Sequence, residues 1–129
     1  MAQVKIYGRK QALLPVRMQL VEAIHACIVD AFQYPPDKKI YRFFPMEDDD
    51  FIYTIDRSDR YTLIEISIFE GRSDEAKKKL IRLLFDRIRH EVGIAPNDVE
   101  ITIFETPKSS WGIRGVPGDE LHVGYKIDV

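Results

Sequence analysis

Apolar and polar residues first alternate where Val4 and Ile6 flank Lys5 and precede Tyr7, a two-residue period that predicts a short first strand with one buried face, closed by Gly8. Beyond Pro15, which suits the first turn of a helix, the period lengthens. Leu20, Val21, Ile24, Cys27, Ile28 and Ala31 recur at three- and four-residue spacing up to Phe32, which predicts a helix with a buried stripe. Tyr34-Pro35-Pro36-Asp37 ends it, because proline offers no backbone donor and biases the preceding residue away from helix. Ile40 to Met46 then reads as a second strand.

The second half repeats this order. Thr62, Ile64, Ile66 and Ile68 share one face of a strand, while Leu63, Glu65, Ser67 and Phe69 share the other. A Gly71-Arg72-Ser73 corner follows. Ser73 caps a helix whose first turn carries Asp74 and Glu75, and whose apolar stripe is Leu80, Ile81, Leu84, Ile88 and Val92 up to a stop at Gly93. Val99, Ile101 and Ile103 mark the inward row of a fourth strand running on to Trp111. Gly115, Pro117 and Gly118 separate it from a short C-terminal strand around His122 to Ile127.

The expected fold is therefore α+β: two β-α-β units forming one four-stranded mixed sheet with both helices on one face, plus short C-terminal strand structure, in a single domain over residues 1–129. The opposite sheet face carries Leu63 and Phe69. These are costly to leave in water, so another subunit is expected to cover them.

Composition narrows the classes. The chain has 129 residues, 45% of them hydrophobic, enough for one core and too few for two ordinary ones. Nineteen basic residues against 21 acidic ones supply no case for nucleic acid or a membrane surface, and Lys77-Lys78-Lys79 reads as one solvated helix face. Cys27 is alone, and His25, His90 and His122 are dispersed, which argues against a disulfide or a structural zinc site. Glu47 to Asp50 reads as an exposed loop. The N-terminus lacks a basic-then-apolar signal and no apolar run approaches the length of a spanning helix, so the cytoplasm is the expected compartment.

Several segments, in order and spacing, resemble the tautomerase superfamily. They are Met1 to Ile6 at the start, Val29-Asp30-Ala31-Phe32 ending the first helix, Arg57-Ser58-Asp59 before the third strand, Gly71-Arg72-Ser73 with Lys77-Lys78, Gly93-Ile94 through Pro96, Asp98 and Val99, and Trp111-Gly112. The resemblance covers nearly the whole chain and is closest to the branch containing malonate semialdehyde decarboxylase, with a 4-oxalocrotonate tautomerase-like fold. It implies a homotrimer, a small carboxylate ligand and no metal or organic cofactor.

The resemblance also implies the site. In the superfamily the initiator methionine is removed and an N-terminal proline acts as general base, general acid or nucleophile; here Ala2 stands in that place. A terminal alanine amine has a reference pKa of about 8, and burial would increase its neutral fraction, so it retains the capacity to move a proton. If Met1 stays, the free amine moves about 3.4 Å along the strand. Arg72 matches the family's substrate-binding arginine, a planar fork suited to a carboxylate; position alone favours a surface ion pair, and the resemblance reverses that preference. The decarboxylase's additional arginine two residues earlier is Glu70 here, which removes a second clamp. Trp111 and Arg114 resemble the segment that closes the pocket, and a core or interface tryptophan is an equal reading of Trp111. Asp37, or Lys38 beside it, falls near the family's carboxylate, and a turn aspartate remains the alternative. Arg57 and Ser58 read as loop braces, His25 as a packing residue and Cys27 as an inert buried thiol. Keto-enol tautomerisation of a small 2-oxo or enol carboxylate is the leading expectation, and a non-catalytic carboxylate-binding or structural trimer is its rival.

Overall fold

A computed structural model describes residues 1–122 and 124–129. Strand β1 (Ala2–Arg9) is followed by a short helix α1 (Lys10–Leu13), a 3-10 turn over Leu14–Val16, and the long helix α2 (Arg17–Phe32). Strand β2 (Tyr41–Met46) completes the first unit. The second comprises β3 (Thr62–Phe69), helix α3 (Asp74–Arg87), extended by a π turn over Ile88–Val92, and β4 (Val99–Thr106). The sheet order is β2-β1-β3-β4, with β1 parallel to β2, β3 parallel to β4, and β1 antiparallel to β3 at the centre. The expected pair of β-α-β units in a mixed sheet is thus the fold observed.

The core lies between the two long helices and one sheet face. Val4 and Ile6 of β1 and Ile64, Ile66 and Ile68 of β3 meet Leu20, Ile24, Cys27 and Ile28 of α2 and Leu80 and Leu84 of α3, all essentially without solvent contact. Ser73 caps α3 as its sequence indicates, its hydroxyl accepting the Ala76 N–H at 3.1 Å. Helix α2 ends at Gln33, whose φ of 51° gives it a left-handed cap, and the turn holding Tyr34 and the two prolines follows.

Three boundaries differ from the sequence reading. Helical structure begins at Lys10 rather than near Pro15, because β1 runs to Arg9 and Leu13 then folds back onto Gly8; a Cβ at Gly8 would lie 3.3 Å from that of Leu13. The helical stretch Lys10–Phe32 is apolar, with a mean hydropathy of 1.5 in its most apolar window, but its stripe packs onto this chain's own sheet. Strand β4 stops at Thr106 rather than Trp111, since Pro107 cannot donate to the ladder and a 3-10 turn follows over Lys108–Ser110. Finally, the expected strand around His122 to Ile127 does not form among the described residues. Val123 lies outside them. A two-stranded antiparallel hairpin forms earlier instead, β5 (Gly112–Ile113) with β6 (Val116–Pro117).

The far sheet face also departs from expectation. Phe69 is fully buried by its own chain: the segment after β4 turns back and sets Trp111 edge-on against it, with ring centroids 5.0 Å apart. The rest of that face is largely polar, built of cross-strand rows such as Arg42-Lys5-Glu65-Thr102, and Leu63 is only half-buried. The 51–60 loop exposes Ile52 and Ile55. Its far end is braced by Asp98, which accepts the Ser58 N–H at 2.8 Å and the Ser58 hydroxyl at 2.6 Å, while Arg57 donates to the Asn97 carbonyl and pairs with Glu100 at 3.3 Å.

Because Leu84 is fully buried at the α2–α3 contact and Arg82 is solvated on the same helix, Leu84→Ala is expected to cost about 3 kcal/mol in urea unfolding and Arg82→Ala less than about 0.5 kcal/mol.

Candidate active site at the chain start and the β3–α3 corner

The antiparallel register sets Ala2 opposite Ile68, so the beginning of β1 lies beside the end of β3, where the chain turns through Gly71 and Arg72. Gly71 has a φ of 133°, which disfavours any side chain, and a Cβ there would stand 2.9 Å from Ile127 Cγ2. That close approach reflects the C-terminal tail, which runs over the corner: Ile127 is buried on Gly71, and Ser73 donates its hydroxyl to the Val129 carbonyl at 3.1 Å. An open cleft lies between Glu70-Gly71, Lys108 and the tail residues Tyr125 to Asp128.

Arg72 is only 4% exposed. Its guanidinium lies over the Phe32 ring, 4.9 Å from the centroid, and Nη1 donates to the Phe69 carbonyl at 3.4 Å. Nε and Nη2 are buried and make no hydrogen bond of normal geometry among the described residues, the Tyr125 hydroxyl being their nearby polar neighbour. These two nitrogens form one edge of the planar group, the edge whose parallel N–H bonds fit the two oxygens of a carboxylate. The surface ion pair that position alone allowed is absent: no carboxylate pairs with Arg72 among the described residues. Burial depresses its pKa, opposed by the neighbouring Tyr125 and Tyr34 hydroxyls and by Glu105.

Two tyrosines receive the start of the chain. The Ala2 N–H donates to the Tyr34 hydroxyl at 3.0 Å, and the Met1 amine donates to the Tyr125 hydroxyl at 2.5 Å. The two rings meet edge to face with centroids 5.1 Å apart. Lys38 overhangs Tyr125, its Nζ 5.2 Å from the ring centroid. Burial, reinforced by the positive charges of Arg72, Lys38 and Lys108, pushes the Met1 amine down to about 5. Burial raises the pKa of both tyrosines, which keeps them protonated.

The remaining sequence candidates are distributed around this centre. Trp111 lies beside it through Phe69, the residue whose carbonyl holds Arg72, and its indole N–H donates to Thr106 Oγ1 at 2.6 Å. Asp37 is exposed on the turn after the prolines, its charge reaching Tyr34, whereas the adjacent Lys38 faces the amine. Arg114 occupies the exposed tip of the β5–β6 hairpin with a φ of 53°. His25 packs against Tyr34 and Tyr41 and bonds the Tyr41 hydroxyl at 2.9 Å. Cys27 is buried in α2, its thiol pushed up to about 12 by desolvation, which makes it a poor nucleophile. Lys77 is held by Glu105 and Asp74. Sequence reading passed over Tyr34, Tyr125 and Lys108. Tyr34 carried one signal, an aromatic residue directly before two prolines; the other two reach the site only through the fold of the C-terminal segment.

A family model described as Tautomerase enzyme matches residues 38–114, a span holding Arg72, Trp111 and Arg114. The chain belongs to the tautomerase family. The 2-hydroxymuconate tautomerase of Comamonas testosteroni is 39% identical over 57 residues, covering 44% of this chain and 90% of that relative, so nearly a whole relative aligns with less than half of this chain. The probable tautomerase YusQ of Bacillus subtilis (strain 168) is 26% identical over 109 residues, covering 81% of this chain and 84% of its own. Among solved structures, a malonate semialdehyde decarboxylase superposes with a TM-score of 0.80 at 22% identity, covering 93% of this chain and 99% of that one. A fused 4-OT, solved as an asymmetric trimer, superposes with a TM-score of 0.78 at 20% identity, covering 92% and 97%. At these identities the structural likeness establishes the fold.

In the form that retains Met1, labelling of the terminal amine by an acylating reagent is expected to titrate with a midpoint near pH 5 rather than near 8. The unfolded amine keeps its proton up to about pH 8, whereas the folded amine releases it above about 5. This group's contribution therefore makes stability rise with pH between those values, with no further gain above 8.

Proposed function

We propose that the protein catalyses a proton-transfer isomerisation, ketonisation of a small enol acid to its 2-oxo form, in a homotrimer. The reading is carried by one observation: the unpaired Nε–Nη2 edge of buried Arg72 beside the start of the chain. A substrate carboxylate satisfies that edge with two parallel hydrogen bonds and neutralises a charge that burial makes costly. Once Met1 is removed, the nitrogen of Ala2 becomes a primary amine in partly buried surroundings. Its neutral form takes the proton from the enol hydroxyl and returns it to carbon, so that one O–H bond is exchanged for one C–H bond and nothing else is consumed. Trp111, packed on Phe69, helps to exclude water. Asp37 and Arg114, both exposed, have no part in this minimal scheme.

The trimer draws support from exposed Ile52, Ile55 and Phe104, and from the solved 4-OT trimers that share the fold. The rival reading, a carboxylate-binding protein without turnover, draws support from Met1 itself: while present, its amine lies on Tyr125 and adds a residue where the substrate would approach.

Intact mass of the native protein separates the two, absence of Met1 being required for catalysis by Ala2. For the Met1-free protein, Arg72→Ala is expected to lower kcat/KM for an enol acid about 100-fold. Ala2→Pro should raise it, by fixing the nitrogen. Equal background rates in all three proteins would reject the enzyme. Sedimentation should give three times the subunit mass.

A further inference from the structure

We propose that Tyr34 is the positioning residue for the terminal amine, its hydroxyl restricting rotation of the Ala2 nitrogen beside Arg72. The inference rests on the reading of Ala2 as the proton-transfer group and adds the feature which that reading lacks. A primary amine rotates freely about its N–Cα bond, so its lone pair points at a bound substrate only part of the time, and near-attack geometry is lost in the remainder. Something must restrict the rotation.

Tyr34 is placed to do so. It is the second residue after α2, fixed by the left-handed cap at Gln33 and by the two prolines that follow. It is 2% exposed, and its ring is held edge-on between His25, at 6.1 Å, and Tyr125, at 5.1 Å. Its hydroxyl already accepts the Ala2 N–H at 3.0 Å, and Ala2 is fixed from the other side by its pairing with Ile68. When the amide becomes an amine, the same N–H remains available to the same oxygen. Anchoring one N–H excludes one of the three staggered positions and leaves the lone pair two directions, so rotation is restricted. The hydroxyl also stabilises the protonated amine more than the neutral one, because a hydrogen bond to a charged group is the stronger. The other groups acting on the amine's position are the cations Arg72, Lys38 and Lys108 and the Tyr125 hydroxyl, while Asp37 acts on Tyr34.

The test uses Met1-free protein released from a cleavable N-terminal fusion, as wild type and as Tyr34→Phe, which keeps the ring and its packing. The ¹⁵N resonance of the Ala2 amine is titrated in both. The expected result is an amine pKa lower by about one unit in Tyr34→Phe. In enol-acid turnover, kcat should fall about 10- to 100-fold with KM within about twofold, and the acidic limb of the kcat/KM profile should move down with the amine. An unchanged amine pKa overturns the assignment, whether or not turnover occurs. A shifted amine in a wild-type protein without turnover leaves Tyr34 as the amine's anchor and rejects the catalytic reading alone. Loss of kcat that tracks a fall in Tm, with the pH profile unmoved, also overturns it.

Discussion

The antiparallel pairing of β1 with β3 is the constraint on which the site depends. It joins the two β-α-β units into one sheet, and its register sets Ala2 against Ile68, four residues before Arg72. Strand side chains alternate between faces, so a slip of one residue would move Val4 and Ile6 out of the core and turn the first nitrogen away from Tyr34. Burial of one strand face therefore fixes the orientation of the chain start, and core packing and site geometry share a cause.

Arg72 adds tension to that arrangement. A buried guanidinium is tolerated when its charge and its donors are both answered, and here the answer is partial: the Phe32 ring faces the charge and the Phe69 carbonyl takes one nitrogen. The Nε–Nη2 edge is left over. The chain start beside it feels the positive charges of Arg72, Lys38 and Lys108, although Glu105 acts on Arg72 itself and the chain as a whole carries a net charge of −2. The same charges, after burial, depress the terminal amine and so favour its neutral form.

Much of this could be read from the chain. The change from two-residue to three- and four-residue apolar spacing marked β1, β3, β4 and both long helices, because each of these elements buries one face. The Gly71-Arg72-Ser73 corner also read correctly as a capped strand-to-helix turn with a cation in it. What escaped were contacts made by segments with little periodicity. Phe69 looked as if it needed a partner subunit, since nothing in its own strand shows that Trp111 returns to cover it. Tyr125 lies in a tail without regular structure, and its place over the Met1 amine follows from Ile127 packing on Gly71. Tyr34 looked like the end of a helix rather than part of a site. Its contact with the chain start emerges only when β1 threads past the α2 terminus, between residues 32 positions apart.

The central claim is that Arg72's free edge and the Ala2 nitrogen face one small carboxylate. A crystal structure of the Met1-free protein soaked with a 2-oxo acid that cannot turn over tests this most directly. The account predicts both carboxylate oxygens within about 3.2 Å of Nε and Nη2, with the reacting oxygen or carbon within hydrogen-bonding reach of the Ala2 nitrogen. A carboxylate bound elsewhere, or an Arg72 edge still unoccupied at saturating ligand, would contradict it.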